Sequence, residues 1–357
     1  MPVITTYPGV YIEELASTAL SVSGSSTAVP VFAIANTDAV FPNTPTRINS
    51  WLEYVSHLGS VGFDSKSNRD VAIRTYFENG GGYCYLVKAD KLVTEVPALD
   101  DATLLVAAGE NIQAAVTTLC VTGNNLFAIL DGPEDEDLAS DWAALYNETE
   151  YAAIYYPWLK ADWTAVDVII PPSAAVAGAY CLNDRSRGVW KAPANMALQG
   201  GVLPLFKVSD SFQGDHTTEG YALNMIRQFN NGSPLIWGAR TSTAADDEEW
   251  RYVPVRRLFN SAEKDIKDTM QTLMYEPNSQ PTWERARSAI SNYLFGLWKQ
   301  GGLAGAREEE AYFVKIGLNV TMTPDDINDG KMIVQVGMAA VRPAEFIILQ
   351  FTQDVAQ

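Results

Sequence analysis

The sequence has few residues of the types on which most enzyme mechanisms depend. Its 357 residues include two histidines, His57 and His216, and three cysteines, Cys84, Cys120 and Cys181. No GxSxG motif accompanies the histidines, so serine-protease-like chemistry lacks a recognisable nucleophile. The cysteines are odd in number, far apart and without a CxxC spacing, which predicts reduced, buried thiols. A cysteine–histidine pair stays open, although no motif supports it.

Basic residues are also scarce. Lysine and arginine number 25 against 43 aspartates and glutamates, which gives a net charge of −18. Binding to a nucleic-acid backbone requires clustered Lys and Arg, and an anionic membrane surface attracts the same residues. The composition therefore argues against nucleic acid and anionic lipid as partners and favours basic protein surfaces.

Long apolar runs are missing as well. No stretch reaches the roughly 18 uninterrupted apolar residues of a membrane-spanning helix, and the first six residues lack the basic start and apolar core of a signal peptide. We therefore expect no direct membrane insertion. The composition, 47% hydrophobic and 19% charged, is that of a globular protein. The length suffices for one large or two medium domains.

The first 27 residues have the composition of an extended arm. Seven of the eleven residues 17–27 are Ser or Thr, and a frayed terminus often has such a composition. The apolar side chains of this segment nevertheless favour pairing with another chain. Some of them form a short strand-like run, and others lie two residues apart. These candidates for inter-subunit strand pairing are Val10, Tyr11, Ile12, Leu20 and Val22.

Residues 28–185 predict a layered α/β domain. Continuously apolar segments of strand length alternate with helix-like segments, which indicates a mostly parallel sheet covered on both faces. Asp70 is the candidate N-cap of the first helix. The predicted strands are 28–36, 83–89, 126–130 and 152–157, and the predicted helices are 70–78, 112–119 and 138–147.

The glycine triplet at 80–82 invites a nucleotide-binding interpretation that its position contradicts. Phosphate loops follow a strand and precede a helix, so that helix amides point at the anion. Here the triplet follows a predicted helix and precedes a predicted strand. It is interpreted as a helix stop and turn.

Residues 186–342 predict an α+β region of two helices on a small sheet. Asn260 is a candidate N-cap of a helix that continues to Met274, with Glu263 completing a capping box. Thr282 is a candidate N-cap of a second helix, which ends before the glycines at 301–302. The predicted strands 311–318 and 331–336 flank a helical turn at Pro324–Asn328.

The final segment, 343–357, predicts a second strand arm. Apolar side chains occupy both faces of this terminal strand, so both faces need covering. Pro343 interrupts the preceding structure, as a hinge between body and arm would. The candidate pairing residues are Phe346, Ile347, Ile348, Leu349 and Phe351.

The acidic clusters do not form a convincing metal site. The segment 325–330 superficially resembles a calcium loop but lacks the alternating ligands and closing Glu of an EF-hand. Thr323 followed by Pro324 better matches a helix N-cap with proline at the first position. We expect no metal and no cofactor, and the remaining acids form solvated loops or complement a basic partner.

Five segments in order resemble one known family, the sheath proteins of contractile tails and contractile injection systems. They are 7–14 (YPGVYIEE), 188–195 (GVWKAPAN), 236–241 (IWGART), 252–258 (YVPVRRL) and 343–347 (PAEFI). Two further stretches, 79–88 (NGGGYCYLVK) and 350–354 (QFTQD), resemble the antifeeding-prophage type of extracellular injection system most. The resemblance spans nearly the whole chain.

The resemblance implies a structural protein without catalytic residues. Such sheath subunits stack as hexameric rings around an inner tube, and rigid-body rotation of subunits contracts the sheath and drives the tube through a target membrane. Their terminal arms pair with neighbouring copies. Transferred to this chain, the family architecture implies an N-terminal arm at 1–27, an outer α/β domain at 28–185, an inner α+β domain facing the tube at 186–342, and a C-terminal arm at 343–357.

The resemblance also implies partners and a place of assembly. The expected partners are copies of the same chain, the inner tube protein, and baseplate and terminator or cap proteins; whether sister sheath proteins co-assemble stays open. Assembly in the bacterial cytoplasm and release within an extracellular particle are expected. The candidate tube contacts are Lys264, Asp265, Lys267 and Asp268.

Parts of the sequence are compatible with two other interpretations. The first is an α/β-fold hydrolase-like enzyme with a β-rich appendage, which would need a pocket with convergent polar groups. The second is another tail component, which fits less well because tube proteins are shorter and lack the α/β domain. A sheath protein should form long tubes visible by electron microscopy.

Overall fold

Strands that are apolar along their length form one large sheet. The computed structural model describes residues 20–136, 142–218, 222–230 and 232–346. By its internal contacts the described chain divides into two units. The large unit comprises 24–264, 301–304 and 340–346, and the small unit comprises 20–23, 265–300 and 305–339.

Thirteen strands lie in the described residues. Nine form a single sheet in the large unit, β7 and β9 form a separate antiparallel pair there, and the last two form a pair in the small unit. The strands are β1 (Pro30–Ile34), β2 (Thr46–Ile48), β3 (Cys84–Lys88), β4 (Leu104–Val106), β5 (Phe127–Asp131), β6 (Ala152–Tyr156), β7 (Leu159–Ala161), β8 (Met196–Ala197), β9 (Val202–Pro204), β10 (Leu223–Arg227), β11 (Leu235–Trp237), β12 (Tyr312–Lys315) and β13 (Gln335–Met338).

The nine-stranded sheet has the order β2-β3-β1-β4-β5-β6-β10-β11-β8. The six strands from β3 to β10 are mutually parallel, whereas β2, β11 and β8 join antiparallel at the two edges. The prediction of an α/β fold with a mostly parallel sheet is therefore confirmed.

Ten α-helices accompany the strands in the described residues. Three short 3₁₀ segments, 89–91, 96–98 and 142–145, lie between them. The helices are α1 (Trp51–Leu58), α2 (Asn68–Glu78), α3 (Leu92–Glu95), α4 (Gln113–Leu119), α5 (Pro172–Arg187), α6 (Asp210–Thr218), α7 (Val253–Gln271), α8 (Gln280–Lys299), α9 (Glu308–Ala311) and α10 (Pro324–Asn328).

Each face of the large sheet has its own apolar core. In β1, Phe32 and Ile34 face a core that includes residues of α2 and α5, whereas Val31 and Ala33 face a core that includes residues of α3 and α4. Successive side chains of a strand point to opposite faces. Coverage of both faces explains why these strands are apolar throughout.

The helix predicted at 70–78 begins two residues earlier than expected, and its capping prediction is wrong. The N-cap of α2 is Ser67, whose side chain accepts a hydrogen bond from the Asp70 amide. The Asp70 carboxylate is buried and accepts hydrogen bonds from the Tyr54 hydroxyl at 2.5 Å and the Asp64 amide at 2.8 Å. Asp70 thus links α2 by hydrogen bonds to α1 and to the loop between the two helices.

The predicted capping box at Asn260 is also wrong. Asn260 lies inside α7, which begins seven residues earlier because Val253, Val255 and Leu258 continue its buried face. The Asn260 side chain is buried, accepts from Arg256 Nε at 2.9 Å and donates to the Leu126 carbonyl at 3.3 Å. The second predicted helix, α8, has Ser279 rather than Thr282 as its N-cap.

Other local predictions are confirmed or shifted. Thr323 caps α10 through a capping box with Asp326. The helix predicted at 138–147 is a 3₁₀ turn at Trp142–Leu145, and residues 137–141 lie outside the described residues. The internal contacts divide the described chain between residues 264 and 265, and β8, β10 and β11 belong to the large sheet. The predicted domain boundaries, including the one at 185, and the assignment of outer and inner domains stay predictions.

Candidate strand-docking site

The small unit contains a sheet of only two strands. β12 and β13 pair antiparallel, with Tyr312 opposite Met338 and Lys315 opposite Gln335. Among the described residues each of these strands has one partner, so each presents a second edge of backbone donors and acceptors. Two isolated strands are marginally stable in water, and an unpaired edge is a template for a further strand.

The pair is held in place from one side by a small apolar core. Ile316 follows β12 directly and is fully buried, together with Leu273, Ala286 and Met322. Met332 and Val334, just before β13, pack against the same core. The Arg287 guanidinium donates to the Ile316 carbonyl and also pairs with Glu284. The two strands are therefore positioned by α8 independently of a third strand.

The other side of the pair is open to solvent. Phe313 is 43% exposed, and the Lys315 ammonium lies 4.9 Å from its ring centroid. Gly337 is opposite Phe313, and a Cβ at this glycine would come within 2.2 Å of the ring. Glycine thus allows the ring to lie flat across the neighbouring strand. This contact was not predicted, because Gly337 lies one residue beyond the predicted strand 331–336; a lone glycine next to a strand is the signal that could have revealed it.

The predicted N-terminal pairing residues lie only partly within the described chain. Leu20 is half-buried and packs on the apolar core of the small unit in its own chain, and Val22 is half-buried. Val10, Tyr11 and Ile12 lie outside the described residues. A pairing role for all five stays a prediction.

The predicted C-terminal pairing residues also lie only partly within the described chain. Phe346 is described and is 76% exposed. Ile347, Ile348, Leu349 and Phe351 lie outside the described residues. Their pairing role likewise stays a prediction.

The four candidate tube contacts lie on α7 in different surroundings. Lys264 Nζ donates to the Asp100 carbonyl at 2.7 Å. Asp265 is buried, and its carboxylate accepts from the Tyr293 hydroxyl at 2.7 Å. Lys267 and Asp268 are exposed. Contact with a tube stays a prediction for all four, and the two exposed residues offer the more accessible charges.

The three cysteines and His216 occupy structural positions. All three cysteines are free and buried, as predicted, and burial raises the pKa of the Cys84 and Cys120 thiols far above the ordinary value. His216 Nδ1 lies 2.8 Å from the Phe212 carbonyl. Among the described residues, no group of three or more His, Cys, Asp or Glu side chains could hold a metal ion. No helix in the same residues is long and apolar enough to span a membrane.

A cavity of about 260 Å³ lies at the carboxyl ends of β4 and β5, where α/β enzymes bind ligands. Its central acid, Asp131, accepts hydrogen bonds from the Ser173 amide at 2.7 Å, the Ser173 hydroxyl at 2.9 Å and the Gly109 amide at 2.9 Å. Burial of the carboxylate nevertheless raises the pKa of Asp131 to about 6. These bonds tie β5 to α5 and to the loop after β4, so Asp131 has a structural use that the sequence did not reveal.

The comparisons identify a structural protein of contractile tails and injection systems, and the chain belongs to the contractile sheath protein family. It is 58% identical to the sheath protein in a structure of the PVC sheath complex, an extracellular contractile injection system in its contracted state. That match covers 99% of both chains with a TM-score of 0.91. The helical sheath of the anti-feeding prophage in its contracted state is 43% identical over 98% of this chain and 100% of that chain, with a TM-score of 0.80.

More distant relatives agree with this assignment. The model of the phage tail sheath C-terminal domain matches residues 245–354. The tail sheath protein of Enterobacteria phage T4 is 22% identical over 218 residues, which are 60% of this chain but only 30% of the T4 protein. The sheath tail protein of Desulfitobacterium hafniense is 12% identical with a TM-score of 0.62 and shares the fold. The resemblance predicted from the five sequence segments is confirmed.

Proposed function

We propose that the protein is the sheath subunit of a contractile injection system, stacking as hexameric rings around an inner tube. The observation that carries the proposal is the 58% identity, over 99% of both chains, to a sheath protein in a contracted injection system. Further support comes from the anti-feeding prophage structures, which include a baseplate as well as a helical sheath. Partners in this proposal are other copies of the chain, the tube, the baseplate and a terminator protein.

The two-stranded sheet of β12 and β13 is the proposed receiving site for the arms of neighbouring subunits. Main-chain hydrogen bonds from an added strand would extend the sheet at either edge, and alternate apolar side chains would cover its faces. Val10, Tyr11, Ile12, Leu20 and Val22 in one arm and Phe346 to Phe351 in the other supply such side chains. A head-to-tail contact of this kind builds a helical assembly when it does not close into a ring.

Contraction is proposed to be a rigid-body rotation of subunits about these tethers. Each large unit carries its own two apolar cores, so it can turn without internal rearrangement, as packed domains do in hinge and rotation mechanisms. The extended sheath would be a metastable state that converts downhill. The net charge of −18 suits weak, polar attachment to a basic tube surface through acids such as Asp268.

The proposal includes no catalytic step. The homologues are structural sheath proteins, and Asp131 is engaged by Ser173 and Gly109 rather than directed at a substrate. Assembly in the bacterial cytoplasm followed by release within an extracellular particle remains part of the proposal. The division into an outer α/β and an inner, tube-facing α+β domain does too.

Deleting residues 346–357 tests the strand-exchange proposal. The deletion removes the five C-terminal candidates while retaining Glu345, so we expect a folded body with unchanged thermal unfolding but no long tubes in negative-stain images. A shorter deletion of 354–357 removes no candidate residue and should leave tube formation intact. Tubes formed by the 346–357 deletion as readily as by the full chain would contradict the proposal.

A further inference from the structure

Three of the sequence segments that resemble the sheath family meet at one cluster in the large unit. Arg240 comes from segment 236–241, Tyr252 from 252–258 and Glu345 from 343–347. Arg240 Nε and Nη2 donate to the two carboxylate oxygens of Glu345 at 2.9 and 2.7 Å. The Tyr252 hydroxyl donates to the same carboxylate at 3.0 Å. A bidentate arginine–carboxylate pair is strong and fixed in orientation.

Arg240 is positioned by the sheet independently of Glu345. Its backbone amide donates to Asn224 Oδ1 at 2.7 Å, and the Asn224 amide group donates back to the Arg240 carbonyl at 2.8 Å. Asn224 is buried in β10. Arg240 also forms a backbone bridge with Tyr252, and its Nη1 donates to the Thr217 carbonyl at 2.8 Å. The guanidinium therefore faces Glu345 from a rigid support.

The segment that leads to Glu345 contacts the large unit, whereas the side chain of Phe346 is exposed to solvent. Ala340 bridges Leu303, and the Val341 amide donates to the Gly302 carbonyl at 3.3 Å. The Glu345 and Arg240 side chains are 25% and 13% exposed, and Phe346, the last described residue, is 76% exposed. Within the described residues, the contacts of this segment with the body thus extend to Glu345.

We propose that Glu345, Arg240 and Tyr252 form a clamp that fixes the root of the C-terminal segment on the large unit. A pull applied beyond residue 345 then reaches β10 through Arg240 instead of peeling residues 340–344 from the body. The proposal rests on the proposed function, in which a neighbouring subunit holds that segment while the large unit rotates. The clamp then places the pivot of this rotation directly after Glu345.

Chymotrypsin cleavage after Phe346 in the purified, unassembled full chain measures the clamp directly. A protease must draw several residues on each side of the bond into an extended conformation, so cleavage there requires release of Glu345. We expect Glu345→Gln and Arg240→Gln to accelerate cleavage roughly threefold to tenfold, and Tyr252→Phe to do so less. Glu309→Gln, at an exposed acid of α9, is the matched control and should have no effect.

The double variant Glu345→Gln/Arg240→Gln distinguishes a clamp from two unrelated contacts. Because both single changes break the same pair, the double variant should be cleaved no faster than the faster single variant. Thermal unfolding of the body verifies that each variant is folded. Multiplicative acceleration in the double variant, or unchanged cleavage in folded single variants, would overturn the clamp.

Contracted sheaths test the mechanical role. Particles assembled from Glu345→Gln subunits should fragment on contraction more often than those from wild-type or Glu309→Gln subunits, as counted in negative-stain images. Intact contraction by variants that show accelerated cleavage would overturn the mechanical role. If the wild-type chain forms no sheath, the proposed function fails, while the cleavage result still decides whether the clamp exists.

Discussion

Gly178 of α5 lies against the C-terminal end of α2, where there is no room for a larger side chain. A Cβ at this position would come within 2.4 Å of the Tyr76 carbonyl oxygen and 2.9 Å of Asn79 Cβ. Backbone atoms give way less readily than the end of a flexible side chain. The close approach of the two helices therefore depends on this glycine.

We predict that Gly178→Ala lowers the free energy of unfolding by roughly 1–3 kcal/mol, as overpacking does elsewhere. Gly214→Ala in α6 is the matched control, because a Cβ there meets no atom within 4 Å. That change should be neutral or stabilising by up to about 1 kcal/mol. Chemical denaturation of both variants measures the difference, and equal stability of the two would contradict the packing argument.

At the residue scale, sequence reasoning succeeded for one local helix cap, at Thr323, and missed another, at Ser67. The Thr323 cap could be predicted because its partner, Asp326, is three residues away. Sequence reasoning failed for Asn260, whose side-chain amide donates to the carbonyl of Leu126, 134 positions away. The pairing of Arg240 with Glu345, 105 positions apart, had no local pattern to reveal it. Distant polar partners are decided by the tertiary fold.

At the element scale, Asp131 joins the end of β5 to the start of α5. Its pKa is raised from 3.8 to about 6, chiefly by burial, although Ser173 and Gly109 donate hydrogen bonds that lower it. A raised pKa in the folded state means that the folded protein holds the proton more tightly than the unfolded chain. The contribution of this group to stability is therefore greatest below about pH 4 and is lost as pH rises through about 6.

We predict that the free energy of unfolding of the wild type, relative to that of Asp131→Asn, falls as pH rises from about 4 to about 6. The fall should amount to no more than about 3 kcal/mol and should level off above that range. Urea unfolding of both proteins across this pH range measures it. A difference that grows with pH would show that the carboxylate form is favoured and would contradict the assignment.

The strands were easier to predict than one of the main helices. β1, β3, β5 and β6 were recognised because strands covered on both faces are apolar at every position. The prediction missed α5, in which eleven of sixteen residues are buried. A helix buried nearly all round and rich in Ala, Ser and Gly lacks the one-sided apolar pattern on which helix prediction depends.

At the scale of the whole molecule, the alternation of apolar and helix-like segments predicted the α/β class but not the extent of the sheet. β8, β10 and β11 are two to five residues long and lie beyond the predicted boundary at 185. Such short strands can be recognised only when their neighbours in the sheet are known. The five family-like segments, in contrast, predicted the family correctly, because their order along the chain is more specific than any single motif.

The central claim is that strands from neighbouring copies complete the sheet of β12 and β13. The most direct test is a helical cryo-electron microscopy reconstruction of sheaths formed by the full chain with its tube partner. We predict a sheet in which strands containing Val10 to Ile12 and Phe346 to Phe351 of other subunits flank β12 and β13. A sheath in which β12 and β13 remain a two-stranded pair, or a chain that stays monomeric at high concentration, would contradict the claim.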